Sequence, residues 1–289
     1  MRLVSYRAAG AESFGVLRGD VVVDAAEVLG VPTLRAALAA DRIGELAELA
    51  ASAKPSHRLA DVELLPPITD PAKIFCIGVN YVDHRAESGL TQAPTHPTVF
   101  TRFSDTHVGH DQPIVAPANS QQLDYEGEVA LVIGKPISTV LGDDEALAAI
   151  AGISCYNDVS ARDWQLHNSQ WTPGKNFSGL GSFGPWITTL DDIEHLDDVS
   201  LTTRVNGEVR QEATLADLIF DFPTILRYLA GFTTLAPGDV VVTGTPGGVG
   251  VVADPPVFLR PGDMTEIEVS GVGVLRNTIA PAHHEGEGR

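Results

Sequence analysis

The feature that most constrains this chain is the stretch Leu123-Asp124-Tyr125-Glu126-Gly127-Glu128-Val129-Ala130-Leu131-Val132-Ile133-Gly134. It reads as a strand whose apolar far end is buried. Alternate side chains of a strand share a face, so Glu126 and Glu128 point the same way while Val129, Leu131 and Ile133 line the other side. Carboxylates drawn out of water beside one another must be protonated, paired or bound to a cation. Tyr156-Asn157-Asp158, at the end of a second apolar run, supplies a third. An all-oxygen set of this kind favours a hard divalent ion, magnesium, manganese or calcium, over zinc. The alternative is an exposed edge strand carrying solvated acids.

A chain of 289 residues can bury a substantial core. No apolar run approaches the length of a membrane span, and the first ten residues lack a signal-peptide core, so a soluble, cytoplasmic protein is expected. The net charge of −19 repels nucleic acid and anionic membranes. The expected partner is therefore a small anionic molecule, held where a bound cation and a few basic side chains reverse the potential inside one cleft. Cys76 and Cys155 lie in apolar segments and read as buried thiols rather than a disulfide.

Residues 1–68 read as a small N-terminal α+β domain, with strands over 2–6, 13–18 and 21–24 and one helix over 33–53. Pro66-Pro67 and Asp70-Pro71 mark its end. A catalytic domain is expected over 69–280 and a disordered tail after it, at 281–289. Past a strand at 73–78, a helical segment would place His84 and Glu87 three residues apart on one face, a general-base arrangement that is also common on helix surfaces. The proline-containing loop that follows would let this element act as a lid. His107 and His110 read as surface or turn residues. The pattern predicts a helix over 144–152, and Ser160 with Asp163 forms a capping-box pattern that predicts a helix from Ser160. Arg162 and Gln165 would share a face of it. Near a carboxylate-bound cation, Arg162, Gln165 and Lys175 could hold an anionic substrate and stabilise a developing oxyanion; equally, Arg162 could pair with Asp158 or Asp163. Asn206-Gly207 joins a hairpin, and a helix is predicted over 215–232. The loop Gly244-Thr245-Pro246-Gly247-Gly248-Val249-Gly250 lacks the residues of a nucleotide site, but its N–H groups and the Thr245 hydroxyl could hold a carboxylate.

Four ordered segments, Gly78 to His84, Asp124 to Lys135, Asn157 to Gln165 and Thr243 to Gly250, make the chain similar to the fumarylacetoacetate hydrolase family from about Lys73 to Thr278. The resemblance implies an α+β, β-rich fold: a mixed-sheet roll of the family's C-terminal type behind a small N-terminal domain, assembled as a homodimer. It implies Mg2+ or Mn2+ on Glu126, Glu128 and Asp158. It further implies a 2-oxo acid substrate contacted by Arg162, Gln165, Lys175 and Thr245, and water activated by His84 with Glu87. Many relatives carry Lys-Pro where this chain has Arg102-Phe103, so Arg102 is expected to shape the substrate pocket differently. The expected activity is hydrolysis of a carbon–carbon bond in an acylpyruvate-like β-diketo acid, in aromatic or sugar-acid catabolism. The alternatives are a decarboxylase, isomerase or hydratase acting on 2-oxo or 2-hydroxydienoate acids, or a calcium-stabilised binding protein without activity.

Overall fold

The computed structural model describes residues 1–89, 92, 94–139 and 142–282. The expected tail lies outside these residues from His283 to Arg289, as does part of the expected lid loop.

The described residues are α+β and strand-rich. A twelve-stranded mixed sheet runs in the order 57–58, 21–24, 11–18, 2–8, 181–188, 150–157, 127–133, 240–242, 74–78 and 98–101, with two short strands pairing off this path. It does not close into a barrel. Strand Arg2–Ala8 pairs with Gly181–Thr188 at Arg2–Thr188 and Leu3–Ile187, so the N-terminal strands extend the large sheet. A five-stranded sheet, containing the Asn206-Gly207 hairpin between Ser200–Val205 and Glu208–Thr214, packs beside it. Asn206 and Gly207 both have φ above +50°, as the tight hairpin turn requires.

Strand Gly127–Ile133 lies at the centre, paired with Ile150–Asn157 on one side and Val240–Val242 on the other. All seven of its residues are buried, which excludes the exposed edge. Val129, Leu131 and Ile133 enter a core shared with Leu201, Ile267 and the helix residues Ile225, Leu226 and Leu229. Ala130 and Val132 enter a second core with Tyr156, Phe183 and the N-terminal helix residues Leu34, Leu38 and Leu46. Burial on both faces is why this segment is almost continuously apolar. Cys76 and Cys155 are free and buried, and burial pushes both thiols up.

Several local expectations are corrected. The helix expected over 33–53 is two, Leu34–Ala39 and Ile43–Ser52. Asp41 takes φ +55°, and the N–H groups of Asp41 and Arg42 turn back onto the Leu38 and Ala37 carbonyls, closing the first helix. The helix expected over 144–152 is Asp143–Ala148, and Ile150 already belongs to a central strand. That over 215–232 is a helix only at Phe222–Ala230, where the Asp221 carboxylate accepts from Thr224 N at 2.9 Å and Pro223 occupies the first turn. The capping box at Ser160 does not form. Ser160–Ala161 pairs with Leu123–Asp124, Asp163 accepts from Ser120 Oγ and Gln121 N instead, and the helix is Arg162–Gln165. His107 is not a surface turn residue: it pairs in the large sheet, and its ring packs on Tyr156 and bonds the Tyr156 hydroxyl.

Candidate active site

The pairing of Gly127 with Asn157 sets the first part of the site, because it places Asp158 beside Glu126. Asp158 N donates to Glu126 O at 2.8 Å, and Glu126 N donates to Asn157 Oδ1 at 3.1 Å. The glycine between the two glutamates is required. A Cβ on Gly127 would lie 1.9 Å from Thr203 Oγ1, so the second sheet can approach this closely only without a side chain. One oxygen each of Glu126, Glu128 and Asp158 lies within 4.8 Å of the others, and all three residues are at least 95% buried. The shared face inferred from strand parity is thus a shared carboxylate cluster.

Three cations face it. Lys175 Nζ donates to Glu126 Oε2 at 2.7 Å and to Asp158 Oδ2 at 2.6 Å. Arg162 Nη1 lies 2.6 Å from Glu126 Oε1 and its Nε 2.8 Å from Asp124 Oδ2. Arg102 pairs with Asp158 Oδ1 from behind. Lys175 arrives on the short helix Thr172–Lys175, which abuts Arg162–Gln165 so closely that a Cβ on Gly174 would meet Gln165 N at 2.4 Å. Counting Asp124, four buried carboxyl groups meet three buried cations, leaving one carboxyl without a counter-charge. That carboxyl is Glu128, whose one hydrogen bond among the described residues is from Gly244 N at 2.5 Å. Burial, then Asp158 and Glu126, holds its carboxyl well above the usual range. Burial acts on Glu126 in the same direction, but Lys175, Arg162 and His84 outweigh it and bring this carboxyl down to about 2. Burial would likewise lower the Lys175 ammonium, yet Asp158 and Glu126 keep it above its ordinary value.

Helix Val82–Glu87 brings the expected dyad to the same place. His84 Nδ1 lies 2.7 Å from Glu87 Oε1, and Glu87 Oε2 accepts from Gly248 N at 2.8 Å, which anchors the helix to the glycine-rich loop. One cavity of about 240 Å3 is lined by His84, Glu126, Glu128, Arg162, Gln165, Lys175 and Thr245. Two expected substrate contacts are placed differently from the rest. Arg102 is buried behind Asp158, bonding Val159 O and Thr106 Oγ1, and does not line this cavity. Thr245 lines it, but its hydroxyl donates to Gly127 O at 2.9 Å and accepts from Gln211 at 2.8 Å, so its proton is committed within the protein.

Some structurally decisive residues were assigned no role from the sequence. Asp124, fully buried, accepts from Arg162 Nε, Gly250 N and Val251 N, and so ties the glycine loop to the Arg162 helix. The Asn80 side chain bonds Phe220 O, Thr243 O and Phe220 N and fixes the turn before His84. Both lie within the segments that carry the family resemblance, but their partners are distant in the chain, so the local pattern gave neither a role. The pairing of Arg162 with Asp124 and Glu126, rather than with Asp158 or Asp163, depends on contacts made 36 or more residues away in the chain.

The donor set fits an oxygen-liganded divalent ion: Glu126, Glu128 and Asp158 converge and are buried, and Glu128 has no cation of the protein against it, so a divalent ion would let it ionise. Residues 73–280 match the family model described as fumarylacetoacetate (FAA) hydrolase C-terminal. The chain is 40% identical over 222 residues to the mitochondrial oxaloacetate tautomerase fahd2 of Xenopus laevis, covering 76% of this chain and 69% of that one. It resembles the crystal structure of a putative HpcE protein from Mycobacterium smegmatis, with 32% identity, TM-score 0.87, and coverage of 98% of this chain and all of that one. It also resembles maleylpyruvate hydrolase from Sphingobium sp. SYK-6, solved with manganese(II) and pyruvate, at 26% identity and TM-score 0.81, again over 98% of this chain and all of that one. By its sequence match, its fold and its ordered site motifs, this chain belongs to the fumarylacetoacetate hydrolase family.

Proposed function

We propose that this protein is a Mg2+- or Mn2+-dependent enzyme that binds a small 2-oxo acid at Glu126, Glu128 and Asp158 and hydrolyses a carbon–carbon bond of an acylpyruvate-like β-diketo acid. The observation that carries the reading is that His84, held at 2.7 Å by Glu87, lines the same cavity as Glu126 and Glu128 of the carboxylate trio. When bound, the ion would polarise the oxygens of a chelated 2-oxo acid and stabilise charge that develops on them. His84 takes a proton from water while Glu87 stabilises the resulting imidazolium. Hydroxide adds to the distal acyl carbonyl, the bond between that carbon and the methylene breaks, and the methylene carbon recovers a proton, giving pyruvate and a carboxylic acid. Gln165 Oε1 accepts from Arg162 at 2.8 Å, so the Gln165 amide nitrogen is the donor left for substrate oxygen. Arg162 Nη2 is buried with no partner among the described residues and offers a second. Lys175 supplies a third.

A second reading, favoured by the similarity to oxaloacetate tautomerases, is keto–enol exchange of a 2-oxo dicarboxylate. That reaction moves a proton between carbon and oxygen and needs no activated water. His84→Ala separates the two. With Mg2+ present, pyruvate release from acylpyruvates is expected to fall by about 10²-fold or more, the usual contribution of a positioned base, while any exchange of oxaloacetate followed by enol absorbance persists. If the variant hydrolyses acylpyruvates at the wild-type rate, or the wild type releases no pyruvate from any of them, the hydrolase reading gives way to the tautomerase one.

A further inference from the structure

The helix that presents His84 to the carboxylate cavity presents a second basic residue, Arg85, to a different one. That cavity has a volume of about 470 Å3 and adjoins the first, sharing Val79 and Trp171 as a common wall. The wall is set by backbone. Trp171 lies so tightly on Gly78 that a Cβ there would sit 2.3 Å from Trp171 Cζ3, and its ring meets Phe100 edge-on at 5.4 Å. Val79 is held at φ +55°, a left-handed conformation that a β-branched residue rarely adopts. Its neighbour Asn80 maintains it through three side-chain hydrogen bonds to Phe220 and Thr243.

Arg85 is partly buried, and its Nε has no hydrogen-bond partner among the described residues. None of the described residues that line this cavity is acidic, and Thr98 adds a hydroxyl. The chain has 38 acidic against 19 basic side chains, and the other buried guanidiniums near the site, Arg102 and Arg162, are committed to carboxylates. An uncommitted guanidinium in an acid-free cavity next to a chelating site has the chemistry of a carboxylate receptor, since its fork of N–H donors matches two carboxylate oxygens.

We propose that Arg85 is a specificity-determining residue: it binds the distal carboxylate of a dicarboxylic substrate whose 2-oxo acid end lies at Glu126, Glu128 and Asp158. This rests on the reading of the first cavity as a 2-oxo acid site and adds the residue that tells a dicarboxylic substrate from a monocarboxylic one.

The test is calorimetric binding to the Mg2+-loaded full chain of two five-carbon probes, 2-oxoglutarate and 2-oxopentanoate, which differ in whether the far end is a carboxylate or a methyl. Oxalate serves as a probe of chelation alone. The wild type should favour 2-oxoglutarate by about 10-fold or more, and Arg85→Met should reduce that ratio by about 10- to 100-fold, the range for one charge-assisted hydrogen-bonded pair. Arg85→Lys, which keeps charge but not the fork, should recover part of it, and carries the comparison by itself if Arg85→Met does not fold. A wild type that binds both probes equally, or a ratio that stays within twofold in the variants while oxalate still binds, overturns the role of Arg85 alone. Failure of oxalate to bind the wild type overturns the 2-oxo acid site, and this inference with it.

Discussion

Lys175→Met tests the electrostatic construction of the site. The ammonium, only 1% exposed, is bonded to Glu126 Oε2 and Asp158 Oδ2, two oxygens of the trio that would also face an ion. Removing it leaves two buried carboxylates short of a counter-charge, and breaking a buried pair from one side costs about 3–5 kcal/mol. For a chain somewhat larger than 250 residues, about 2–4 °C of Tm per kcal/mol gives a fall of roughly 6–20 °C in the presence of chelator. Magnesium should reverse much of this. The ion replaces the missing charge in the variant, whereas in the wild type it must compete with the ammonium for the same two oxygens. The Mg2+-induced rise in Tm is therefore expected to be larger in the variant, with metal affinity undiminished, while turnover falls by about 10²-fold because a donor to the substrate is gone. Differential scanning fluorimetry over a magnesium titration, beside single-substrate kinetics, reads all three quantities. A variant whose Tm in chelator is within about 2 °C of wild type, or whose increment with magnesium is no larger, would falsify the charge-balance argument.

Asp124→Ala should destabilise the protein by about 3–5 kcal/mol, because it breaks a buried ion pair from one side and leaves Arg162 Nε and the Gly250 and Val251 N–H groups without their acceptor; Asp124→Asn, which keeps an acceptor oxygen, should lose less, and an unchanged urea midpoint in the alanine variant would mean the glycine loop is held by other contacts. His107 gives a pH signature: burial, then Arg102, lowers its imidazole to about 3, against about 6.5 in an unfolded chain. Between those values the unfolded state holds more protons, so stability should decline as pH falls below about 6.5, by at most about 1.4 kcal/mol per pH unit from this group. Urea unfolding at pH 7 and pH 5 should show a smaller decline for His107→Gln than for wild type, and equal declines would exclude His107 as the source.

The sequence alone determined the features that depend on local pattern. Strand parity put Glu126 and Glu128 on one face, a three-residue step put His84 against Glu87, and Asn206-Gly207 specified its hairpin, because each relation is complete within a few residues. The four ordered motifs likewise placed the chain in its family. What only the tertiary structure decided was the pairing of charges: Arg162 with Asp124 and Glu126, Arg102 with Asp158, and Lys175 between two carboxylates, each across tens of residues. Helix limits at 40, 149 and 215–221 also escaped local propensity. There a left-handed Asp41, a central sheet in need of Ile150 and an Asp221 cap override what alanine and leucine favour on their own. Periodicity states which residues share a face. The counter-charge that face meets depends on where strands far apart in sequence are brought to pair, and burial then makes that encounter decide the chemistry.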